Sequence, residues 1–234
     1  MELRKIATIY NNYTERFGIP RQSGIAPEVM SRIVFEKEYR NPDALRGIEG
    51  FSHLWLIWEF DRIERDAGYR PMVRPPKLGG NTRVGVWATR SPYRPNPLGL
   101  SVVRLVCVEQ TGEGPVLIVE GADLMNETPI YDIKPYVPYA DSIPDAVGGF
   151  ADEHAGDRLT VVIPAEVREA VIACGHDEAW LAALEKVLSA DPRPAYQDDP
   201  SRRYGMRYGD AEISFSVEGT ILTVCSVVGV HIWE

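Results

Sequence analysis

Runs of apolar and β-branched residues recur along the first part of the chain and predict strands rather than helices. Such runs lie at residues 6–10 and 32–35, and residues 51–60 (FSHLWLIWEF) predict a strand that is covered on both faces. Residues 98–108 and 115–120 predict two further strands, which a glycine-containing turn joins into a hairpin. The chain up to about residue 140 is therefore predicted to be mainly β.

Helix and loop signals within this region are short. Asn41 followed by Pro42 predicts a short helix with Asn41 as its N-terminal cap. The glycine pair at residues 79–80 and the repeated prolines of residues 71–97 predict long ordered loops. Because strands this apolar have few helices to cover them, we expect the N-terminal part to close into a β-barrel.

The composition changes near residues 144–149 (PDAVGG), where we predict a boundary between two domains. Beyond it, residues 159–163 predict a strand, and a helix is expected to begin near Pro164 or Ala165. A second helix is predicted at residues 177–189, where four apolar residues share one face. These four residues are Trp180, Leu181, Leu184 and Leu188.

The end of the chain predicts one more hairpin, formed by residues 212–217 and 220–228. The expected fold class is therefore mainly β. It combines an N-terminal closed β-barrel domain at residues 1–143 with a small α+β C-terminal domain at residues 144–234.

Composition excludes several classes of protein. With 234 residues, 44% of them hydrophobic and 25% charged, the chain is neither disordered, collagen-like nor a disulfide scaffold. No apolar run approaches the length of about 18 residues that a transmembrane helix needs, and the N-terminal sequence does not resemble a secretory signal. Three widely spaced cysteines (Cys107, Cys174 and Cys225), interpreted as packing residues, indicate a reducing, cytoplasmic location.

Charge is distributed unevenly along the chain. The net charge of −9 argues against a general nucleic-acid-binding protein, yet residues 67–104 carry seven basic side chains and no acidic one. The seven are Arg70, Arg74, Lys77, Arg83, Arg90, Arg94 and Arg104. This basic segment is either a solvated face or a binding surface for an acidic partner. Residues 141–234 have a net charge of −10, so we do not expect them to be the primary contact with nucleic acid.

A stiff loop within the basic segment carries the clearest candidate chemistry. Three prolines at positions 92, 95 and 97 restrict the backbone around Arg90 and Arg94. A guanidinium on a rigid loop suits recognition of carboxylate or phosphate, although a structural turn cluster with solvated arginines is the alternative. The sequence contains no phosphate-binding glycine loop, and its four histidines lack metal-ligand spacing, so no metal site is predicted.

Four sequence blocks, taken together, resemble a known family. They are GIPRQ at residues 18–22, GFSHLWL at 50–56, RPPKLGGNTRVGVWATRSPYRPNPLGL at 74–100 and DIKPY at 132–136. In this order they strongly resemble the TsaA-like (YaeB, TrmO) family. Its members are S-adenosylmethionine-dependent tRNA methyltransferases that act on N6-threonylcarbamoyladenosine beside the anticodon. The sequence DPRPAY at 191–196 and Tyr204-Gly205 also resemble the family's C-terminal domain.

The resemblance implies a β-barrel catalytic domain that forms homodimers and binds S-adenosylmethionine without a glycine-rich motif. The implied cofactor-binding residues are Pro20, Arg21, Gln22, Asp61, Arg62, Arg90, Leu100, Asp132, Ile133, Lys134 and Pro135. Two positions depart from the family pattern. Relatives can carry His-Gln where this chain has Asp61-Arg62, and often carry Asp-Gly where it has Asn126-Glu127, a change that is expected to alter the loop.

Roles within the implied site follow from side-chain chemistry. Arg21 or Arg90 can pair with the methionyl carboxylate, and Leu100 can cover the adenine, whereas Lys134 has the alternative of a salt bridge to Asp132 or Asp141. The acceptor nitrogen must lose a proton, either to water or to a general base. The candidate bases are Asp132 and Tyr136, with Tyr131 and Tyr139 also nearby in sequence.

Substrate contacts are expected from the basic segment, which would face the anticodon arm of tRNA. Arg94 or Lys77 can bind the threonyl carboxylate, and Tyr93 or Trp87 can stack on an exposed base. Two alternatives remain open at the level of sequence. One is a methyltransferase of the same fold that acts on another RNA or a small molecule, and the other is a non-catalytic module that binds S-adenosylmethionine or RNA.

Overall fold

The structure is a computed structural model that describes residues 2–63, 69–78, 81–154, 156–193 and 199–229. Pro194, Ala195 and Tyr196 of the DPRPAY sequence lie outside these ranges, and so does the side chain of Lys77.

Eight strands form the N-terminal part. They are β1 (Ala7–Tyr10), β2 (Met30–Phe35), β3 (His53–Glu59), β4 (Met72–Val73), β5 (Val84–Gly85), β6 (Leu98–Thr111), β7 (Gly114–Glu120) and β8 (Pro129–Pro135). Strands β4 and β5 form a small separate ribbon. The other six pair with one another in the order β1-β2-β7-β6-β3-β8 and form a closed barrel, in which each neighbouring pair is antiparallel.

Strand β3 illustrates how the barrel sorts its side chains. Leu54, Leu56 and Trp58 point inward and are buried, whereas the alternate residues, including Trp55 and Ile57, are only half-buried on the outer face. The prediction that this strand is covered on both faces is therefore wrong for the outer face. A barrel encloses only its interior, so an apolar outer face is covered only as far as neighbouring loops reach it.

Short 3-10 helices connect the strands. The predicted helix near Asn41 is confirmed as a 3-10 helix, Pro42–Leu45, in which the Asn41 side chain accepts a hydrogen bond from the Asp43 N–H at 3.0 Å. The other 3-10 helices are Lys37–Tyr39, Ile48–Gly50, Pro76–Leu78, Val86–Ala88 and Gly149–His154. The predicted hairpin between β6 and β7 is also confirmed.

The C-terminal part combines one mixed sheet with two helices. Its elements are β9 (Thr160–Val162), α2 (Ala165–Ala173), α3 (Glu178–Ser189), β10 (Tyr204–Tyr208), β11 (Ala211–Glu218) and β12 (Ile221–Gly229), preceded by a single-turn helix α1 (Pro138–Asp141). The sheet order is β10-β11-β12-β9, with β9 parallel to β12. Helix α3 begins after Asp177, whose carboxylate accepts from the Trp180 N–H at 2.8 Å, and it buries Leu181, Leu184 and Leu188 as predicted.

A loop from the N-terminal part is built into the C-terminal core. We call residues 11–29 the PRQ loop. Tyr13, Ala26 and Val29 from this loop belong to the same hydrophobic cluster as the C-terminal sheet and helix α3. The Gly209 N–H donates to the Asn12 carbonyl at 2.7 Å. The C-terminal sheet therefore fixes the backbone on which Pro20, Arg21 and Gln22 are carried.

The mainly β N-terminal part and the α+β C-terminal part confirm the predicted class. Four strands were not predicted. Strands β4 and β5 lie in the segment predicted as loops, and polar residues interrupt the apolar pattern of β8 and β10 on the exposed face. All three cysteines are free. Cys107 and Cys174 are exposed, so their interpretation as packing residues is wrong. Among the residues that the structure describes, no helix has the length and apolar character needed to cross a membrane.

Candidate functional site

A cavity of about 500 Å³ lies where the PRQ loop meets the end of β3 and the start of β6. Its wall brings together seven residues that the sequence nominated for cofactor binding. They are Pro20, Arg21, Gln22, Asp61, Arg62, Arg90 and Leu100. We call this space the donor cavity. Residues from four separate segments of the chain, 20–22, 61–62, 90 and 100, thus line one cavity.

Hydrogen bonds hold the arginines of this wall in place. The Arg90 guanidinium donates to the side-chain carbonyl of Gln22. Arg21 Nη2 donates to the main-chain carbonyl of Arg193 at 3.1 Å, and Arg62 Nη2 donates to that of Asn126 at 2.7 Å. The cationic wall is therefore anchored by both parts of the fold.

The donor cavity also contains residues that the sequence did not nominate. Trp58 and Phe60 form an aromatic wall, with ring centroids 4.4 Å apart. Trp58 Nε1 donates to Ser101 Oγ at 3.0 Å, and Ser101 Oγ donates to Asp123 Oδ1 at 2.5 Å. Burial raises the pKa of Asp123, while the Ser101 hydrogen bond and the charge of Arg90 act in the opposite direction. In the sequence, Asp123 is the second acid after the apolar run at residues 115–119, and no pattern there marks it as a site residue.

The remaining nominated cofactor residues do not line the cavity. Asp132, Ile133, Lys134 and Pro135 lie on β8, two strands away from Leu100. Lys134 Nζ lies 2.9 Å from Asp132 Oδ2, which is the salt bridge that was considered as the alternative role of this lysine. Asp132 Oδ1 also accepts from the Ile133 N–H at 2.9 Å.

A row of paired residues links β8 to the donor cavity. Leu100 pairs with Ile57, and Ile57 pairs with Asp132, so all three lie on the outer face of the barrel in one row. Two strand spacings separate Leu100 from Asp132, a distance of about 10 Å. Asp132 therefore lies two strands from Leu100 and outside the cavity wall.

The tyrosines that were considered as bases have different surroundings. The Tyr136 ring packs against Trp55, with centroids 5.7 Å apart, on the outer face of the barrel. The Tyr131 hydroxyl donates to Glu59, which lines the donor cavity. Tyr139 is 93% exposed and contributes to neither of the two cavities.

A second cavity of about 1260 Å³ adjoins the donor cavity and shares Arg21, Gln22, Arg90 and Pro92 with it. Six arginines line this arginine cavity, against a single acid, Asp152. The six are Arg21, Arg70, Arg74, Arg83, Arg90 and Arg158. The basic segment therefore supplies four of them, and the C-terminal part adds Arg158 despite its overall negative charge.

The nominated substrate-binding residues divide between the two cavities. Tyr93 lines the arginine cavity, where the Arg70 guanidinium lies 4.4 Å from its ring centroid. Arg94 lines the donor cavity and also donates to the Thr89 carbonyl at 2.6 Å. Trp87 is exposed and lines neither cavity.

Comparison with known proteins assigns the family. The model of the tRNA-methyltransferase O N-terminal domain matches residues 8–142, and the model of the TrmO C-terminal domain matches residues 156–230. The chain belongs to the tRNA-methyltransferase O family. The resemblance carried by the four sequence blocks is therefore confirmed.

Individual relatives of the TrmO family cover nearly the whole chain. The tRNA (adenine(37)-N6)-methyltransferase of Escherichia coli (strain K12) is 37% identical over 219 residues, which span 92% of this chain and 93% of that protein. The putative S-adenosylmethionine-dependent methyltransferase RcsF of Pseudomonas aeruginosa is 40% identical over 211 residues, 89% of each chain. The crystal structure of TrmO from Pseudomonas aeruginosa superposes with a TM-score of 0.77 at 31% identity, covering 98% of this chain and 99% of that one.

One departure from the TrmO pattern has a clear structural setting. Glu127, for which the resemblance implied a glycine in relatives, has a φ angle of 68°, in the left-handed region that favours glycine. Its N–H donates to the Ile9 carbonyl at 2.8 Å, and its carboxylate lies 3.6 Å from Arg62 Nη2. The turn thus has a glycine-like conformation at a residue that carries a side chain.

Proposed function

We propose that this chain transfers a methyl group from S-adenosylmethionine to N6 of threonylcarbamoyl-modified adenosine 37 in tRNA. The observation that carries the proposal is the shared wall of Arg21, Gln22 and Arg90 between a donor cavity and an arginine-lined cavity. Two substrates that react directly need adjoining sites. The similarity to a tRNA (adenine(37)-N6)-methyltransferase supports the same reaction.

The residues of the donor cavity fit the chemistry of S-adenosylmethionine. The guanidinium groups of Arg21 and Arg90 suit the methionyl carboxylate, and the aromatic wall with Leu100 suits the adenine. A volume of about 500 Å³ is within the range of small-molecule sites. When bound, this cofactor supplies an electrophilic methyl group on a sulfonium centre.

The chain itself orients the reactants and removes water. Pro20, Gln22, Asp61 and Arg62 complete the proposed cofactor contacts in the cavity wall. We include Asp132, Ile133, Lys134 and Pro135 as contacts at its rim, an assignment supported by the row that joins Leu100, Ile57 and Asp132. Alignment and desolvation are the main requirements for a displacement at a methyl group.

Proton removal from the acceptor nitrogen is assigned to Asp132 or Tyr136. The pH dependence of kcat for Asp132→Asn and Tyr136→Phe distinguishes the two groups. The variant that loses an ionisation limb identifies the base. If both variants retain the wild-type profile, the proton passes to water instead.

The arginine cavity is proposed to bind the anticodon arm. Arg70, Arg74 and Arg83 have the charge for phosphate contacts, which supply most of the affinity for nucleic acid. Tyr93 offers a ring face to an unstacked base, and Arg94 or Lys77 is assigned to the threonyl carboxylate. Arg158 extends the same charge from the C-terminal part.

Three further features belong to this proposal. The domain boundary is assigned between residues 143 and 144, where the surrounding residues 141–149 are all exposed.

The chain is proposed to form a homodimer. The proposal is supported by the apolar outer face of the barrel, on which Leu100 is 53% exposed, and sedimentation velocity measures the oligomeric state. A cytoplasmic location is proposed because the three cysteines are unpaired and tRNA is the substrate.

The deciding experiment is methyl transfer from labelled S-adenosylmethionine to tRNA with and without the threonylcarbamoyl group. Label is expected only in the modified tRNA, at adenosine 37. Transfer to unmodified tRNA, to another RNA or to a small molecule would instead identify another methyltransferase of this fold. Tight cofactor binding with no transfer to any of them would identify a binding module.

A further inference from the structure

Helix α3 ends in a turn that is built around an aspartate. Asp191 follows the C-terminal cap of the helix and has a φ angle of 51°, in the left-handed region that glycine or asparagine usually occupies there. Its N–H donates to the Leu188 carbonyl at 3.2 Å and so satisfies one carbonyl of the last helical turn. Glycine would serve that purpose with less strain, so the carboxylate at this position has another role.

The Asp191 carboxylate holds Arg193, two residues further on. Its Oδ1 accepts from the Arg193 N–H at 3.2 Å and from Arg193 Nε at 3.0 Å, and its Oδ2 accepts from Arg193 Nη2 at 3.1 Å. The Arg193 side chain is only 8% exposed, and its guanidinium lies 6.0 Å from the ring centroid of Tyr204 on β10. A bidentate arginine–carboxylate pair has a defined geometry. The turn at residues 191–193 is therefore rigid and is attached to the C-terminal sheet.

The main chain of this turn contacts the PRQ loop. The Arg193 carbonyl accepts the hydrogen bond from Arg21 Nη2 at 3.1 Å, across 172 positions of the chain. Arg21 and Asp191 also line a common cavity of about 640 Å³ between the PRQ loop and the end of α3. Because Arg21 lines the donor cavity and the arginine cavity as well, this contact connects the C-terminal part to a side chain that both cavities share.

A long side chain on a cavity wall binds more tightly when it is oriented in advance. Arg21 is an exposed residue, and an untethered arginine loses conformational entropy when a ligand fixes it. A hydrogen bond that exists before the ligand arrives removes part of that cost. The guanidinium has several donors, so one bond to the Arg193 carbonyl leaves others for a carboxylate.

We propose that Asp191 and Arg193 are positioning residues that hold Arg21 in the orientation in which it receives the methionyl carboxylate. The inference rests on the proposed function, because it assumes that Arg21 binds this carboxylate. Neither positioning residue lines the donor cavity. The DPRPAY sequence of the C-terminal part thereby contributes to the affinity of a site that the N-terminal blocks form.

Calorimetric titration of Asp191→Ala with S-adenosylmethionine and methylthioadenosine tests the inference. We expect the affinity for S-adenosylmethionine to fall about five- to tenfold, while methylthioadenosine, which lacks the methionyl carboxylate, binds as to the wild type. Asp191→Asn should restore part of the affinity, because an amide oxygen can still accept from Arg193 and asparagine tolerates the left-handed φ. Glu178→Ala is the matched control, since it removes the acid of an ion pair at the other end of α3 and lines neither cavity.

The double variant Arg21→Ala with Asp191→Ala separates positioning from a general structural role. If the turn acts through Arg21, Asp191→Ala should cause no further loss of affinity for S-adenosylmethionine in the Arg21→Ala background. Additive losses would overturn the inference, and so would an equal loss for methylthioadenosine or an unchanged affinity in Asp191→Ala. If Asp191→Ala does not fold, Arg193→Lys, which keeps the charge and loses the bidentate geometry, takes its place in the same comparison. A wild-type chain that fails to bind S-adenosylmethionine would instead refute the proposed function.

Discussion

The guanidinium of Arg90 donates a hydrogen bond to the side-chain carbonyl of Gln22, 68 residues away in the chain. This contact joins the rigid proline-containing loop to the PRQ loop, and both residues line the donor cavity and the arginine cavity. The wall between the two cavities therefore depends on an interaction between two nominated residues, one from each loop.

Replacing Arg90 tests this wall directly. We expect Arg90→Ala to weaken binding of S-adenosylmethionine by about 10- to 100-fold, because it removes a charged hydrogen-bond donor from the cavity. Calorimetry gives the affinity. Arg104→Ala is the control, since Arg104 belongs to the same basic segment but lines neither cavity. Its Nε lies 2.7 Å from Glu120 Oε2. Unchanged affinity in Arg90→Ala would remove Arg90 from the donor site.

The arginine cavity makes a separate prediction about salt. Arg74→Ala with Arg83→Ala should weaken tRNA binding and reduce the slope of log affinity against log salt by about one per lost phosphate contact. Filter binding across a salt series measures both quantities, and affinity for S-adenosylmethionine should not change. Arg46→Ala, which removes an exposed arginine paired with Asp43, should leave the slope as it is. A slope that is flat in the wild type would contradict the tRNA-binding role.

Glu127 offers a test of backbone strain. Because its φ angle is 68°, Glu127→Gly should stabilise the fold by about 0.5–1 kcal/mol, even though it loses the ion pair with Arg62. Urea unfolding measures the change in the free energy of unfolding. Glu127→Ala is the matched control, since it loses the same ion pair but keeps a Cβ at the left-handed φ. Equal effects of the two substitutions would show that φ is not the cause.

Tyr208 should limit stability in alkali. This residue is fully buried in the C-terminal core, and burial raises the pKa of Tyr208 to about 12. Below pH 10 both states keep the proton, whereas between pH 10 and 12 only the unfolded state releases it, so the free energy of unfolding should fall across that window by about 2 kcal/mol.

Tyr208→Phe should reduce this alkaline loss, as followed by thermal unfolding from pH 9 to 12. The free energy of unfolding of Tyr208→Phe should still fall with rising pH, because burial also raises the pKa of Tyr13. Tyr139→Phe removes a hydroxyl that is almost fully exposed and should reproduce the wild-type slope. If Tyr208→Phe loses stability between pH 9 and 12 as steeply as the wild type, a group other than Tyr208 controls the alkaline loss.

Local patterns were enough to predict much of the secondary structure. The hairpins, the Asn41-capped turn and helix α3 each depend on contacts between near neighbours, so the order of apolar, polar and turn residues determined them. Two of the exceptions share one cause. Strands β8 and β10 carry polar residues such as Lys134 and Arg207 on an exposed face, and only pairing with distant strands makes these segments extended.

The sequence by itself determined the family and eight residues of the donor cavity, because most of those eight occur in short contiguous blocks. Tertiary structure decided which blocks meet. It joined the PRQ loop to the C-terminal core, placed Asp132 two strands away from Leu100, and brought Asp123 beside Ser101 and Trp58. Those placements depend on barrel closure and strand register, which are properties of distant pairings that no local pattern contains.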